Sequence, residues 1–150
     1  MYTKQQVSLI RQKFWTAFGQ YMRPVKGADG ETINWINYRT GIKNIYFRME
    51  ADNKEASIAI EIDHADPITQ QQYFGQLIQL KTILEEETGE EWEWAAQQEN
   101  EQGNRISRVS KSISGVTIFN EADWPAIISF LKPRIMALDR FWGLVKETFQ

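Results

Sequence analysis

Residues 41–63 read GIKNIYFRMEADNKEASIAIEID, and their pattern decides the fold. Ile45, Phe47 and Met49 fall on one side and Tyr46, Arg48 and Glu50 on the other, the period of two that a pleated strand imposes. The second run repeats it, with Ala56, Ile58, Ile60 and Ile62 against Ser57, Ala59, Glu61 and Asp63. Asp52, Asn53 and Lys54 interrupt the pattern with turn-forming side chains, so the stretch predicts an antiparallel hairpin. A lone hairpin is marginal in water, and its apolar face must be covered by other elements.

The flanking sequence supplies the cover. A first helix is expected from Thr3, as N-cap, to Met22, with Pro24 marking its end. Val7, Ile10, Phe14, Ala17 and Tyr21 share one face of it, which belongs in the core; Leu9, Trp15 and Phe18 widen that stripe. Residues 23–32 form a glycine-containing loop without phosphate-loop spacing. Ile33 to Thr40 reads either as a short extra strand or as a loop carrying Trp35 and Tyr38 on the sheet. Beyond the hairpin, Asp66-Pro67 is a helix start, and Tyr73, Phe74, Leu77, Leu80 and Leu84 continue an amphipathic helix to a glycine cap at Gly89.

A second strand pair follows, Glu91 to Ala96 and Arg105 to Ile113, with Trp92, Trp94 and Ala96 toward the core. Glutamates crowd residues 85–101, whereas Arg105, Arg108 and Lys111 are free of intervening acids, so cross-strand ion pairing is the plain reading of the basic strand. The last helix should start near Asp123 or Trp124 because Pro125 suits only a first turn. Trp124, Ile128, Leu131, Ile135, Leu138, Trp142, Val145 and Phe149 make a heptad-like stripe, with a bend or break expected at Pro133. Phe130, Phe141 and Leu144 lie off that stripe, so the helix is either deeply packed, the favoured reading, or shared with another subunit.

The expectation is a single α+β domain over residues 1–150, with a mainly antiparallel sheet of four to five strands packed with three helices in the order α-(β)ββ-α-ββ-α. A chain of this length buries roughly 70% of the surface its unfolded form exposes. Its net charge of −3 opposes wholesale attraction to nucleic acid or anionic membrane. No cysteine is present, which excludes thiol chemistry and allows a reducing compartment. With no secretory leader pattern and no apolar run long enough to span a bilayer, a cytoplasmic protein is expected.

Three constellations bear on chemistry. Glu50, Glu61 and Asp63 on the polar side of the first hairpin, with Arg48 to orient a phosphate, form a candidate Mg²⁺ or Mn²⁺ catalytic set. The element order permits a restriction-nuclease-like core, but Glu61-Ile62-Asp63 lacks the lysine that such nucleases place after the acid, and the favoured reading has no cofactor. His64 is the sole histidine and reads as a hydrogen-bonded structural residue at a strand end. Arg105, Arg108 and Lys111 form a candidate nucleic-acid contact, one that requires the cations to cluster in space.

The segments WINYRTGIKNIYFRME at Trp35 to Glu50, EEWEW at Glu90 to Trp94 and FNEADWPAIISFLKPRIMALDRFW at Phe119 to Trp142 together resemble a bacterial domain-of-unknown-function family, number 4268. The resemblance covers nearly the whole chain and is closest to short, free-standing members from Bacteroidetes-type bacteria. Other members end longer proteins with nuclease-like or restriction-associated domains. The resemblance therefore implies an accessory role near nucleic-acid processing or defence, and it transfers no catalytic residue. The function expected is a non-catalytic interaction or accessory domain, with a homodimer through leftover apolar helix surface or another protein as partner. The alternative is a divergent metal-dependent nuclease.

Overall fold

A computed structural model describes residues 2–150. The described residues form helix α1 (Lys4–Met22), strands β1 (Ile45–Ala51) and β2 (Glu55–Ile62), helices α2 (Pro67–Gln79) and α3 (Lys81–Thr88), strands β3 (Glu93–Glu99) and β4 (Arg105–Ser114), and helix α4 (Trp124–Val145). Single 3₁₀ turns flank α4 at Glu121–Asp123 and Lys146–Phe149. The sheet is antiparallel throughout, in the order β1-β2-β4-β3.

Register explains how one face becomes the core. Phe47, Ile60, Val109 and Trp94 lie opposite one another across all four strands. The neighbouring rows Ile45–Ile62–Ser107 and Met49–Ile58–Lys111 share that side. Helices α2 and α4 pack against it, while α1 and α3 pack on α4. The result is a sheet with all its helices on one side.

Helix α4 runs through the middle of this cover. Leu131, Ile135, Leu138, Trp142 and Val145 are buried as the heptad stripe predicts, and so are Ile127, Phe130, Ala137 and Phe141 on other sides. Deep packing therefore accounts for its breadth of apolar surface, with Leu144 left 66% exposed. Of the bend or break expected at Pro133, the break does not occur, since the helix is continuous from Trp124 to Val145. Pro133 and Ser129, whose carbonyl the missing N–H leaves without its helical donor, are both exposed residues.

One open alternative is decided and three sequence expectations need correction. Ile33 to Thr40 is not a strand: the Asn37 N–H donates to Asn34 Oδ1, which makes a turn, and Trp35 is buried with its indole N–H on the Val25 carbonyl. The expected second helix is two helices, α2 and α3, because the Leu80 N–H closes a tight turn on the Leu77 carbonyl; this re-aims Leu84 into the core against α4. In α1 the buried residues are Phe14, Phe18 and Met22, whereas Tyr21 stands in solvent under the Lys132 ammonium, 4.8 Å from its ring centre. In β3 the alternation fails after Trp94: a bulge between Ala95 and Gln98 leaves Ala96 exposed, with Gln97 at φ 48°.

Caps fall where the sequence places them. Thr3 and Gln6 form a reciprocal capping box at α1. Asp66 accepts from the Ile68 N–H at 3.3 Å and from the Thr69 hydroxyl at 2.8 Å, which holds its carboxyl below the ordinary aspartate range. Gly89 ends α3 at φ 72°.

Candidate functional site

The polar side of the hairpin is the open face of the sheet. The row Tyr46–Glu61–Arg108–Ala95 crosses all four strands, as does Arg48–Ala59–Ser110–Glu93, with Glu50–Ser57–Ser112 beside them. None of the charged or hydroxyl-bearing residues in these rows belongs to the hydrophobic core, although Ala59 between them is fully buried. The face collects chemistry-bearing side chains for the same reason that the core collects apolar ones: alternate residues of each strand point the same way.

Glu61 sits at its centre with a side chain only 12% exposed. Its Oε1 is 2.9 Å from Arg48 Nε of β1, and its Oε2 is 3.5 Å from Arg108 Nε of β4. The Arg48 guanidinium also lies over the Tyr46 ring, 4.4 Å from its centre. Arg108 Nε is shut off from solvent yet makes no hydrogen bond, because its contact with Glu61 has ion-pair distance without hydrogen-bond geometry. Burial raises the Glu61 carboxyl above its ordinary value, and the two arginines oppose that shift without cancelling it.

The other members of the proposed carboxylate set point to different tasks. Glu50 is exposed two residues beyond Arg48 on β1. Asp63 lies past the end of β2 and accepts from the Asn44 amide at 2.9 Å. Among the described residues no three His, Cys, Asp or Glu side chains are grouped to share a metal ion. His64 accepts the Asp66 N–H on Nδ1 at 3.1 Å, and its carbonyl receives the Gln70 amide.

The basic set divides between the faces of β4. Arg108 is on the open face, whereas Lys111 shares the helix-side row of Ile58 and donates to the Glu91 carbonyl at 3.1 Å. Arg105 is exposed at the start of the strand, opposite Glu99. A spacing of three on a strand reverses the side of the sheet, which is why Arg108 and Lys111 do not share a surface. The glutamates at the end of α3 and just beyond it find partners on α4 instead: Arg134 grips Glu90 with two bonds of 2.9 Å, and Arg140 reaches Glu87 at 3.2 Å.

A second feature was not singled out by sequence reasoning. The loop after α1 folds over the end of α4 around Asp139, a buried acid whose Oδ1 accepts the Tyr38 hydroxyl at 2.5 Å and whose Oδ2 accepts the Ala28 N–H at 2.8 Å. Beside it lies a cleft of about 350 Å³ lined by Asp29, Tyr38, Arg39, Asp139 and Lys146 among others. Burial and the neighbouring Asp139 carboxylate push the Tyr38 phenol well above its ordinary value. The signal was available: Asp139 lies four residues after Ile135 and three before Trp142, on the edge of the buried stripe.

Together these features define a two-layer α+β domain with one uncovered antiparallel face carrying an Arg–Glu–Arg cluster. The chain belongs to the family described as a domain of unknown function, DUF4268, whose profile matches residues 10–146. No curated protein and no solved structure matches the chain. Among the described residues no helix is long and apolar enough to cross a membrane.

Proposed function

We propose that this is a non-catalytic interaction domain that recognises a protein partner on the open sheet face, as an accessory to nucleic-acid processing or defence. The observation that carries the reading is the engagement of Glu61 by Arg48 and Arg108. A carboxylate held between two guanidinium groups serves to order a surface, and their positive charge opposes the approach of a divalent cation. The mixture of signs on the face, with Arg48 and Arg108 among Glu50, Glu61 and Glu93, complements a protein surface better than a polyanion.

The test combines two measurements. Fluorescence anisotropy with labelled single- and double-stranded DNA and RNA, across a salt series with and without Mn²⁺, is expected to show no tight binding and no cleavage. Affinity capture with the wild type and with Arg108→Glu is expected to retain a polypeptide on the former that the latter loses. Tight nucleic-acid binding whose logarithm falls linearly with the logarithm of salt would overturn the choice of partner. Mn²⁺-dependent cleavage lost in Glu61→Gln would overturn the non-catalytic reading.

A further inference from the structure

The two edges of the sheet are finished differently. At the β3 edge the bulge at Ala95 to Gln98 bends the strand, and the Gln98 amide folds back on the Ala96 carbonyl at 2.9 Å. Such irregularity is how natural sheets block further pairing. The β1 edge has none of it: Ile45–Ala51 contains no proline, no lysine and no bulge, and its register with β2 is unbroken.

Which backbone groups point outward follows from the ladder. Asp52 N–H bonds the Glu55 carbonyl and Asp63 N–H the Asn44 carbonyl, each at 3.0 Å, so the hydrogen-bonded pairs with β2 include Tyr46, Arg48 and Glu50. Ile45, Phe47, Met49 and Ala51 therefore turn their N–H and C=O away from the sheet. Ile45 is satisfied by the Ile42 carbonyl and the Thr40 hydroxyl. Phe47, Met49 and Ala51 have no hydrogen-bond partner for these groups among the described residues. Phe47 and Ala51 are only 6% and 7% exposed as whole residues, so their side chains are in the core.

We propose that a second copy of this chain pairs on the β1 edge, antiparallel about a two-fold axis through Met49, to make one continuous sheet from two four-stranded sheets. In that register Met49 faces its own counterpart and Phe47 faces Ala51 of the second copy, so every unpartnered N–H and C=O of the three residues is bonded. The intervening pairs then set Arg48 of each copy opposite Glu50 of the other, on the open face and at the closer, non-hydrogen-bonded spacing. This charge complementarity selects a second copy over an unrelated strand. Sliding the register by two residues about the axis would lose both ion pairs and leave rim groups unbonded. The two-fold axis is perpendicular to the sheet, so helices stay on one side and the two open faces merge into a single surface. Arg48 also belongs to the open-face cluster, but the strand pairing does not depend on what that face binds.

Sedimentation velocity from low-micromolar to sub-millimolar protein is expected to show a monomer–dimer equilibrium. Glu50→Arg places like charges opposite one another twice per dimer and should raise the dissociation constant by about tenfold or more. Mixing Glu50→Arg with Arg48→Glu should restore a dimer containing one copy of each. Arg48→Glu also loses its pair with Glu61, so amide exchange on the wild type provides a test free of mutation: exchange at Phe47, Met49 and Ala51 should slow as protein concentration rises. A monomer throughout the range, a dimer indifferent to Glu50→Arg, or a dimer in which those three amides exchange as in the monomer would each overturn the proposal. Capture of an extended foreign peptide on this edge without self-association would do so too.

Discussion

Glu61 of β2 lies directly opposite Tyr46, yet its carboxylate reaches diagonally to Arg48, whose Nε is 2.9 Å from Oε1. Burial holds this carboxyl above the ordinary glutamate value of 4.5, so the folded state binds its proton more tightly than the unfolded state does. The contribution of Glu61 to stability is therefore most favourable below the unfolded value and declines as pH rises through the interval up to the folded value. Urea unfolding of the wild type and Glu61→Gln between about pH 3 and about pH 7 isolates this contribution. The stability of the wild type minus that of the variant should fall with pH; a flat or rising difference would contradict the assignment.

Tyr38→Phe removes the donor to Asp139 Oδ1 and should cost about 1–2 kcal/mol in urea unfolding, the cost of leaving a buried acceptor short of its partner. In an Asp139→Ala background the same change should cost much less, because the hydroxyl has already lost its acceptor. Equal costs in both backgrounds would show that the pair is not coupled.

Ser107 is fully buried on the helix side, donating to Gln70 Oε1 at 2.7 Å and accepting the Gln97 N–H at 3.0 Å. Ser107→Ala leaves both groups unsatisfied and should destabilise the fold by about 1–3 kcal/mol. The extra exposure should appear as faster amide exchange at Gln97, where the bulge depends on the lost acceptor.

Two glycines should respond with opposite sign. Gly75 is inside α2 with open space where a Cβ would stand, so Gly75→Ala should stabilise by about 0.5–1 kcal/mol. Gly89 also has open space but sits at φ 72°, so Gly89→Ala should destabilise by about 1 kcal/mol through backbone strain alone. Thermal unfolding of the two variants side by side checks both signs.

Much of the architecture was legible because local patterns carry it. The alternation from Ile45 to Ile62 set the hairpin, Asp66-Pro67 and Gly89 set helix ends, and the register that puts Glu61 beside Arg108 follows once β2 and β4 pair. The break at Leu80 was not legible, since no proline or glycine marks it and burial of Leu84 against α4 decides it. Nor was the fate of Trp35, whose local sequence fits a strand or a loop equally well.

For this chain the sequence alone determined the α+β class, the first hairpin and its two unlike faces, because a period of two or three to four residues is a local property of the backbone. Tertiary structure decided which charges meet. Strand order put Glu61 between Arg48 and Arg108, the packing of α4 gave Glu90 to Arg134 rather than to β4, and the fold of the loop brought Tyr38 to Asp139 across a hundred residues of chain. Those pairings depend on distances between segments remote in sequence, which no local period encodes.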